Sequence, residues 1–230
     1  MKKELLMIAM LFGAVFGFTA CGGDDDANDN GGSSNYQDSR IVNVIPDNYI
    51  KELKKHMTIY DGVNPPSIEG SFVMSPTELV YASADPSWDG KEINWADNYF
   101  TFSNQSTSAR TISVSQTTSN GYSGSGTGAY ICGEGNNFTI YFNETGVSYG
   151  INFKQAVIIT GTKTSAGIRN LTKAFVMVER GQKTGSQDIM QAGEYRIFHD
   201  GDGVAEPYTP TSSAKGIAGV AELFPMNAGK

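Results

Sequence analysis

"NPPSIEGSFVM", Asn64 to Met74, is where the chain changes its period. Pro65 and Pro66 end whatever precedes them, because proline has no amide donor and restricts the residue before it. Beyond them Ile68, Gly70, Phe72 and Met74 alternate with Glu69, Ser71 and Val73, a repeat of two that gives a strand one face of each kind. Strand-like runs recur at Glu78 to Ser83, Tyr99 to Ser103, Arg110 to Gln116, Tyr130 to Cys132, Phe138 to Phe142, Tyr149 to Thr160, Lys173 to Glu179 and Glu194 to His199.

Turn residues separate these runs. Asn120-Gly121 is a two-residue hairpin signal, Asn143-Glu144-Thr145-Gly146 joins two aromatic-rich runs, and Gly161 to Gly167 and Gly181 to Gly185 punctuate the later part. Short connections make neighbouring strands antiparallel. The expectation is an all-β domain: a single up-and-down barrel of about eight or nine strands, which leaves no exposed edge, with a β-sandwich as the alternative. Ahead of the first strand, Pro46 to Met57 reads as one short helix. Asp47 or Asn48 would cap it, Ile50, Leu53 and Met57 would share a face, and His56 would sit on a solvated last turn.

Working back to the start, Met1-Lys2-Lys3-Glu4 is a basic cluster, and Leu5 to Ala20 follows without a charge. That run is shorter than the roughly 20 residues a helix needs to span a bilayer, and it ends in small residues, as a signal peptide does. Residues 22–39, "GGDDDANDNGGSSNYQDS", hold almost nothing that could enter a core, so they read as an acidic tether. A flexible coil of that length spans on the order of 20 to 25 Å. The domain is then expected over 40–230.

The net charge is −7, and removing the leader makes the mature chain one charge more negative. That balance argues against nucleic acid as a partner. Of the two cysteines, Cys132 is expected to be a buried small hydrophobe.

Phe18-Thr19-Ala20-Cys21-Gly22 resembles the lipobox of bacterial lipoproteins, which implies that Cys21 is acylated after cleavage and moors the chain to a membrane. More than one acyl chain gives stable attachment, because each buried CH2 adds about 0.8 kcal/mol. The run Asp24, Asp25, Asp26 resembles the export signal of surface lipoproteins in Bacteroides-type bacteria, which implies the outer leaflet of the outer membrane. Gly70-Ser71-Phe72 is similar to the Gly-x-Trp of lipocalins, and that resemblance gives Arg196 the part of the late arginine covering the aromatic. Asn64 to Gly70, Ala174 to Met177 and Arg196 to Gly203 look like a family of uncharacterised Bacteroides-type lipoproteins, a resemblance that brings no established activity.

Catalysis needs a positioned acid, base or nucleophile. The sequence has two histidines, His56 and His199, and no zinc-spaced cysteine pair, His-Glu-x-x-His or Gly-x-Ser-x-Gly. Gly121 to Gly128 is glycine-rich but leads into a strand, where a phosphate cradle would need a helix N-terminus. Asp200 and Asp202, with Glu206 beyond, offer the oxygens that calcium prefers, although a turn ending the last strand accounts for them too. Trp88, Asp89 and Trp95 lie in one acid- and amide-rich stretch and form a candidate ligand platform; the plainer reading is that the indoles plug an end of the barrel.

The expected function is a non-catalytic, lipid-anchored surface module with an extracellular glycan or protein as partner and the membrane engaged through its anchor. The alternatives are a lipocalin-like carrier of a small apolar ligand and a glycan-active enzyme. Phe72, Phe100, Phe102, Phe138, Ile140 and Phe142 discriminate between binder and carrier: if they fill the interior, no cavity remains.

Overall fold

The computed structural model describes residues 38–85, 95–183, 185–186 and 188–210. Two short helices, α1 (Ser39–Val42) and α2 (Asp47–Leu53), precede ten strands: β1 (Gly70–Met74), β2 (Thr77–Ala82), β3 (Asn98–Ser106), β4 (Thr111–Thr118), β5 (Ser123–Glu134), β6 (Asn137–Ser148), β7 (Ile151–Lys163), β8 (Ile168–Arg180), β9 (Tyr195–Asp200) and β10 (Val204–Pro207). Neighbours are antiparallel throughout, and the sheet closes into a ring of eight.

Ten strands make eight staves because the first and last staves are each bent. β1 and β2 run on from one another across Ser75-Pro76, and β9 and β10 run on across Asp200 to Gly203. β8 pairs with β10 through Ile168 and Arg169 and with β9 through Thr172 to Val176, while β1 pairs with β10 and β2 with β9. The expected meander barrel is therefore present. Its closing seam lies between two bent staves.

Alternation decides what enters the barrel. Phe72, Phe100, Phe102, Phe138, Ile140 and Phe142 all belong to one interior cluster with Ile112, Ile131, Val157, Ile159, Phe175 and Phe198. The outward residues between them have a second use. Ile41, Ile45, Ile50, Leu53, Met57 and Ile59, from the helices and the segment after them, pack on the outer wall against Tyr130, Cys132, Tyr141, Ala156, Ile158, Ala174, Val176, Tyr195 and Ile197. Strands β6 to β8 are thus buried on both faces, which explains their nearly unbroken apolar runs. Asp38 clamps the start of this arm: it pairs with Arg40 at 2.9 Å and Arg110 at 3.0 Å, and the Arg40 guanidinium lies 4.3 Å over the Tyr130 ring. The hydrogen bond from Arg40 holds the Asp38 carboxyl well below the usual carboxylate range. Order in the domain so begins before the expected residue 40.

Four local expectations are corrected. Asn143 to Gly146 is not a turn but lies within β6, paired with β7 from Asn143↔Ala156 to Gly146↔Phe153. The turn falls at Tyr149-Gly150, whose φ angles of 50° and 75° are the left-handed pair that a two-residue hairpin requires. The helix stops at Leu53, and Pro46 occupies its N-cap with no side-chain cap from Asp47 or Asn48. His56 is half-buried, stacked on Tyr81 at 3.8 Å between centroids.

The glycine-rich run is part of β5, and close approach explains its composition. A Cβ at Gly126 would stand 2.4 Å from the Phe142 ring, and one at Gly124 would fall on the Glu144 carboxylate. In this half of the wall Ser123 to Gly126 pair with β4, and the pairing of β5 with β6 runs from Tyr130↔Tyr141 to Glu134↔Asn137. The interior side chains of β6 use the space that the glycines leave. Gly126→Ala is expected to lower stability by about 1–3 kcal/mol through overpacking, and Phe142→Leu in the same chain should restore part of it. Equal loss in the single and double variants, measured by denaturant unfolding, would contradict this packing.

Candidate functional site

Inside the barrel the apolar filling is interrupted by one polar chain. Lys173, inward on β8, donates from Nζ to Asn98 Oδ1 at 2.9 Å and to Gln116 Oε1 at 3.2 Å. Gln116 Nε2 donates to Glu144 Oε1 at 2.8 Å, and Gln155 Nε2 donates to Glu144 Oε2. On the other side Asn98 Nδ2 donates to Thr77 Oγ1 at 3.2 Å, and Thr77 donates to the Met74 carbonyl at 3.0 Å. Six strands contribute to this chain, and all six of its side chains are buried.

Removal from water disfavours the ammonium, so burial pushes Lys173 down to about 8, against the pull of the Glu144 charge. The rings of Phe100 and Phe175 flank Nζ at 5.8 and 5.7 Å. The Tyr122 hydroxyl is pushed up by burial and by Glu144. Lys173 and Glu144 are committed to amides, which hold both charges in place without presenting either to solvent.

Above this layer the described residues at this end of the barrel are largely aromatic and aliphatic. Trp95 meets Phe198 edge-on at 5.2 Å, and Trp95, Tyr122 and Tyr149 pack on the interior cluster that also contains Ile189 and Met190. Arg196 lies over the Trp95 ring at 6.0 Å, and burial lowers its pKa to about 10. Trp95 has the position of a plug. Trp88 and Asp89 lie outside the described residues. The arginine expected over Phe72 is a correction: Lys163 takes that place, with Nζ 4.5 Å from the Phe72 ring centre.

Of the two aspartates Asp202 is exposed and Asp200 is buried, and each is engaged by backbone amides. Asp200 accepts from the Ser75 amide at 3.2 Å and the Gly203 amide at 3.1 Å, while Asp202 accepts from the Val204 amide at 3.1 Å. They shape the bend of the last stave, and burial beside Asp202 raises the Asp200 pKa. Among the described residues no three His, Cys, Asp or Glu side chains gather to share a metal ion. His199 pairs with Glu78 at 3.0 Å on the surface. Cys132 is buried under the arm, its Sγ donating to the Tyr60 carbonyl at 3.3 Å, and burial pushes the thiol up to about 12. Such a thiol is a poor nucleophile.

That leaves the outer wall. The arm covers the wall from the later part of β5 to β9. On β1, β3, β4 and the first part of β5 the outward residues are Ser71, Val73, Tyr99, Thr101, Ser103, Ser113, Ser115, Thr117, Ser123 and Ser125, none of them buried. Sequence inspection missed this face. Its signal was present: Arg110 is the only charged residue from Asn98 to Gly133.

Comparison with known proteins finds no matching family model, no matching curated protein and no matching solved structure.

The buried lysine carries a signed pH dependence. Its folded pKa lies below its unfolded value of 10.5, so the unfolded chain holds more protons between the two and stability rises with pH from about 8. From about pH 9 Cys132, whose thiol burial pushes up to about 12, offsets the rise, and above about pH 10 the slope reverses, because burial pushes Tyr130 and Tyr195 up to about 12 and the unfolded tyrosines ionise first. Lys173→Met is expected to cost about 3 kcal/mol at pH 7, since it strands Glu144 and two amide oxygens, and to abolish the rise from pH 8 to 9. An unchanged rise in urea-unfolding free energy would contradict the assignment.

Proposed function

We propose that the protein is a lipid-anchored module of the outer membrane, surface-exposed, that binds an extracellular partner with the outside of its barrel and performs no catalysis. The observation that carries this reading is the filled interior: aromatic and aliphatic side chains and the Lys173 chain take the volume where a carrier would keep its cargo. A site for a small apolar molecule is a cavity of hundreds of cubic ångströms. The wall around this interior is closed by hydrogen bonding and by the Phe142 and Glu144 side chains.

The address rests on Cys21 and on Asp24, Asp25 and Asp26. An acyl anchor holds one end of the chain at the bilayer, and an acidic tether keeps the acidic domain off the headgroups through like-charge repulsion. A glycan-active enzyme would need two carboxylates free to work across a cleft. The converging pair found here, Asp200 and Asp202, is bound to backbone amides in a turn.

Growing cells fed labelled palmitate are expected to incorporate it into the wild-type chain and not into Cys21→Ser. Replacing Asp24, Asp25 and Asp26 by alanine should keep the label but protect the protein from protease added to intact cells. Unlabelled wild-type protein, or equal protease sensitivity of the two chains, would contradict the anchor or the surface address respectively.

A further inference from the structure

The uncovered wall is ordered as well as polar. Register places Ser71 beside Thr101, Thr101 beside Ser115, and Ser115 beside Ser125, so four hydroxyls cross four strands in one row. The Ser71 and Thr101 hydroxyls are 2.9 Å apart and hydrogen-bonded. A second row runs Glu206, Val73, Tyr99, Thr117, Ser123, and Ser103 stands beside Ser113 in a third. Strand geometry spaces such groups about 4.8 Å across the sheet and about 6.7 Å along it. At one margin Tyr99 meets Tyr208 edge-on at 5.2 Å, and the Tyr208 amide is tied to the Ser71 carbonyl at 3.0 Å.

Each feature narrows the partner. The hydroxyl rows carry no lysine or arginine, and carboxylates stand at their margin, Glu206 beside Val73 and Glu69 two residues before Ser71, so an anionic polymer would find no counter-charge there. The large apolar side chains exposed among the described residues are Val42, Val63 and Val147, none of them on this face; the apolar groups it holds, Val73, Tyr99 and Tyr208, are half-exposed and lie to one side of the hydroxyl row, not at the centre that a protein interface uses. A hydroxyl both donates and accepts, so a lattice of them can meet another lattice of hydroxyls in either sense. Across Ser71, Thr101, Ser115 and Ser125 no charge has to be desolvated. Half-exposed tyrosines add flat apolar area against which the C–H face of a sugar ring packs.

We infer that the Ser71–Thr101–Ser115–Ser125 face with Tyr99 and Tyr208 binds an extended, neutral polysaccharide laid across the strands. This rests on the reading that the domain binds with its exterior, and it names the surface and the ligand class.

The test is affinity electrophoresis of the full chain, purified in mild detergent, through gels containing hydroxyethyl cellulose, xylan, mannan or soluble starch, with heparin as the anionic comparison. At least one neutral polymer is expected to retard the protein, with no loss at high salt. Ser115→Lys and Ser125→Lys should each weaken that retardation about tenfold or more and Tyr99→Ala by severalfold. Glu179→Lys, on β8, should leave it unchanged. Ser115→Ala is the milder companion that cannot strain an exposed strand position, and it too should weaken retention; unfolding midpoints equal to wild type tie the losses to the face.

Retardation by none of the neutral polymers, by heparin alone, or equally in wild type and Ser115→Lys would overturn the inference. A protein cross-linked through Ser115→Cys in cells, with no neutral polymer bound, would also overturn it while leaving exterior binding in place. Absence of palmitate, by contrast, would remove the anchor and leave this binding measurable.

Discussion

A single lysine buried in a β-barrel must be compensated on every side, and the rest of the interior is arranged around that requirement. Lys173 is held by Asn98 and Gln116, Gln116 passes the contact to Glu144, and Gln155 completes the carboxylate's partners. The chain ties β2, β3 and β4 to β6, β7 and β8 across the barrel. It therefore fixes the cross-section in a way that apolar packing alone would not, because each of its members has few alternative partners in a low-dielectric interior. Aromatic rings pack around it.

The wall adapts to this filling. Glycines at 124 and 126 let Glu144 and Phe142 lie where β5 would otherwise carry side chains, and the two bent staves close the ring at Ser75-Pro76 and at Asp200 to Gly203. Outside, the N-terminal arm covers one half of the barrel, and no described residue packs over the hydroxyl rows of the other. The covered half supplies the second apolar cluster, and the other half is hydroxylated, with carboxylates at its margin. On the proposed reading, what this domain offers to a partner is that second face.

Much of the fold could be read from alternation. The period-two pattern begun at Ile68 correctly placed Phe72, Phe100, Phe102, Phe138, Ile140 and Phe142 on one face, because the pleat leaves no other option once the pattern is kept. Asn143 to Gly146 misled for a physical reason: its residues favour turns locally, yet twelve pairings with β7 outweigh that preference. Glycine-rich β5 read only as far as its apolar end, since the reason for its glycines lies on β6. The hydroxylated face was legible as a scarcity of charge between Asn98 and Gly133, but its rows depend on register across four strands, which no local pattern reports. Arg196 and Trp95 show the same limit: their stacking is set by how the mouth closes, and residue type gave no hint that Lys163 and not Arg196 would reach Phe72.

The filled barrel is tested most directly by titrating the full chain with an environment-sensitive apolar fluorophore and challenging any signal with a long-chain fatty acid. The account predicts no saturable binding beyond that of the Cys21→Ser chain's detergent blank and no competition. Saturable one-to-one binding, displaced by the fatty acid and altered by Phe100→Ala, would place an occupied cavity where the account puts side chains.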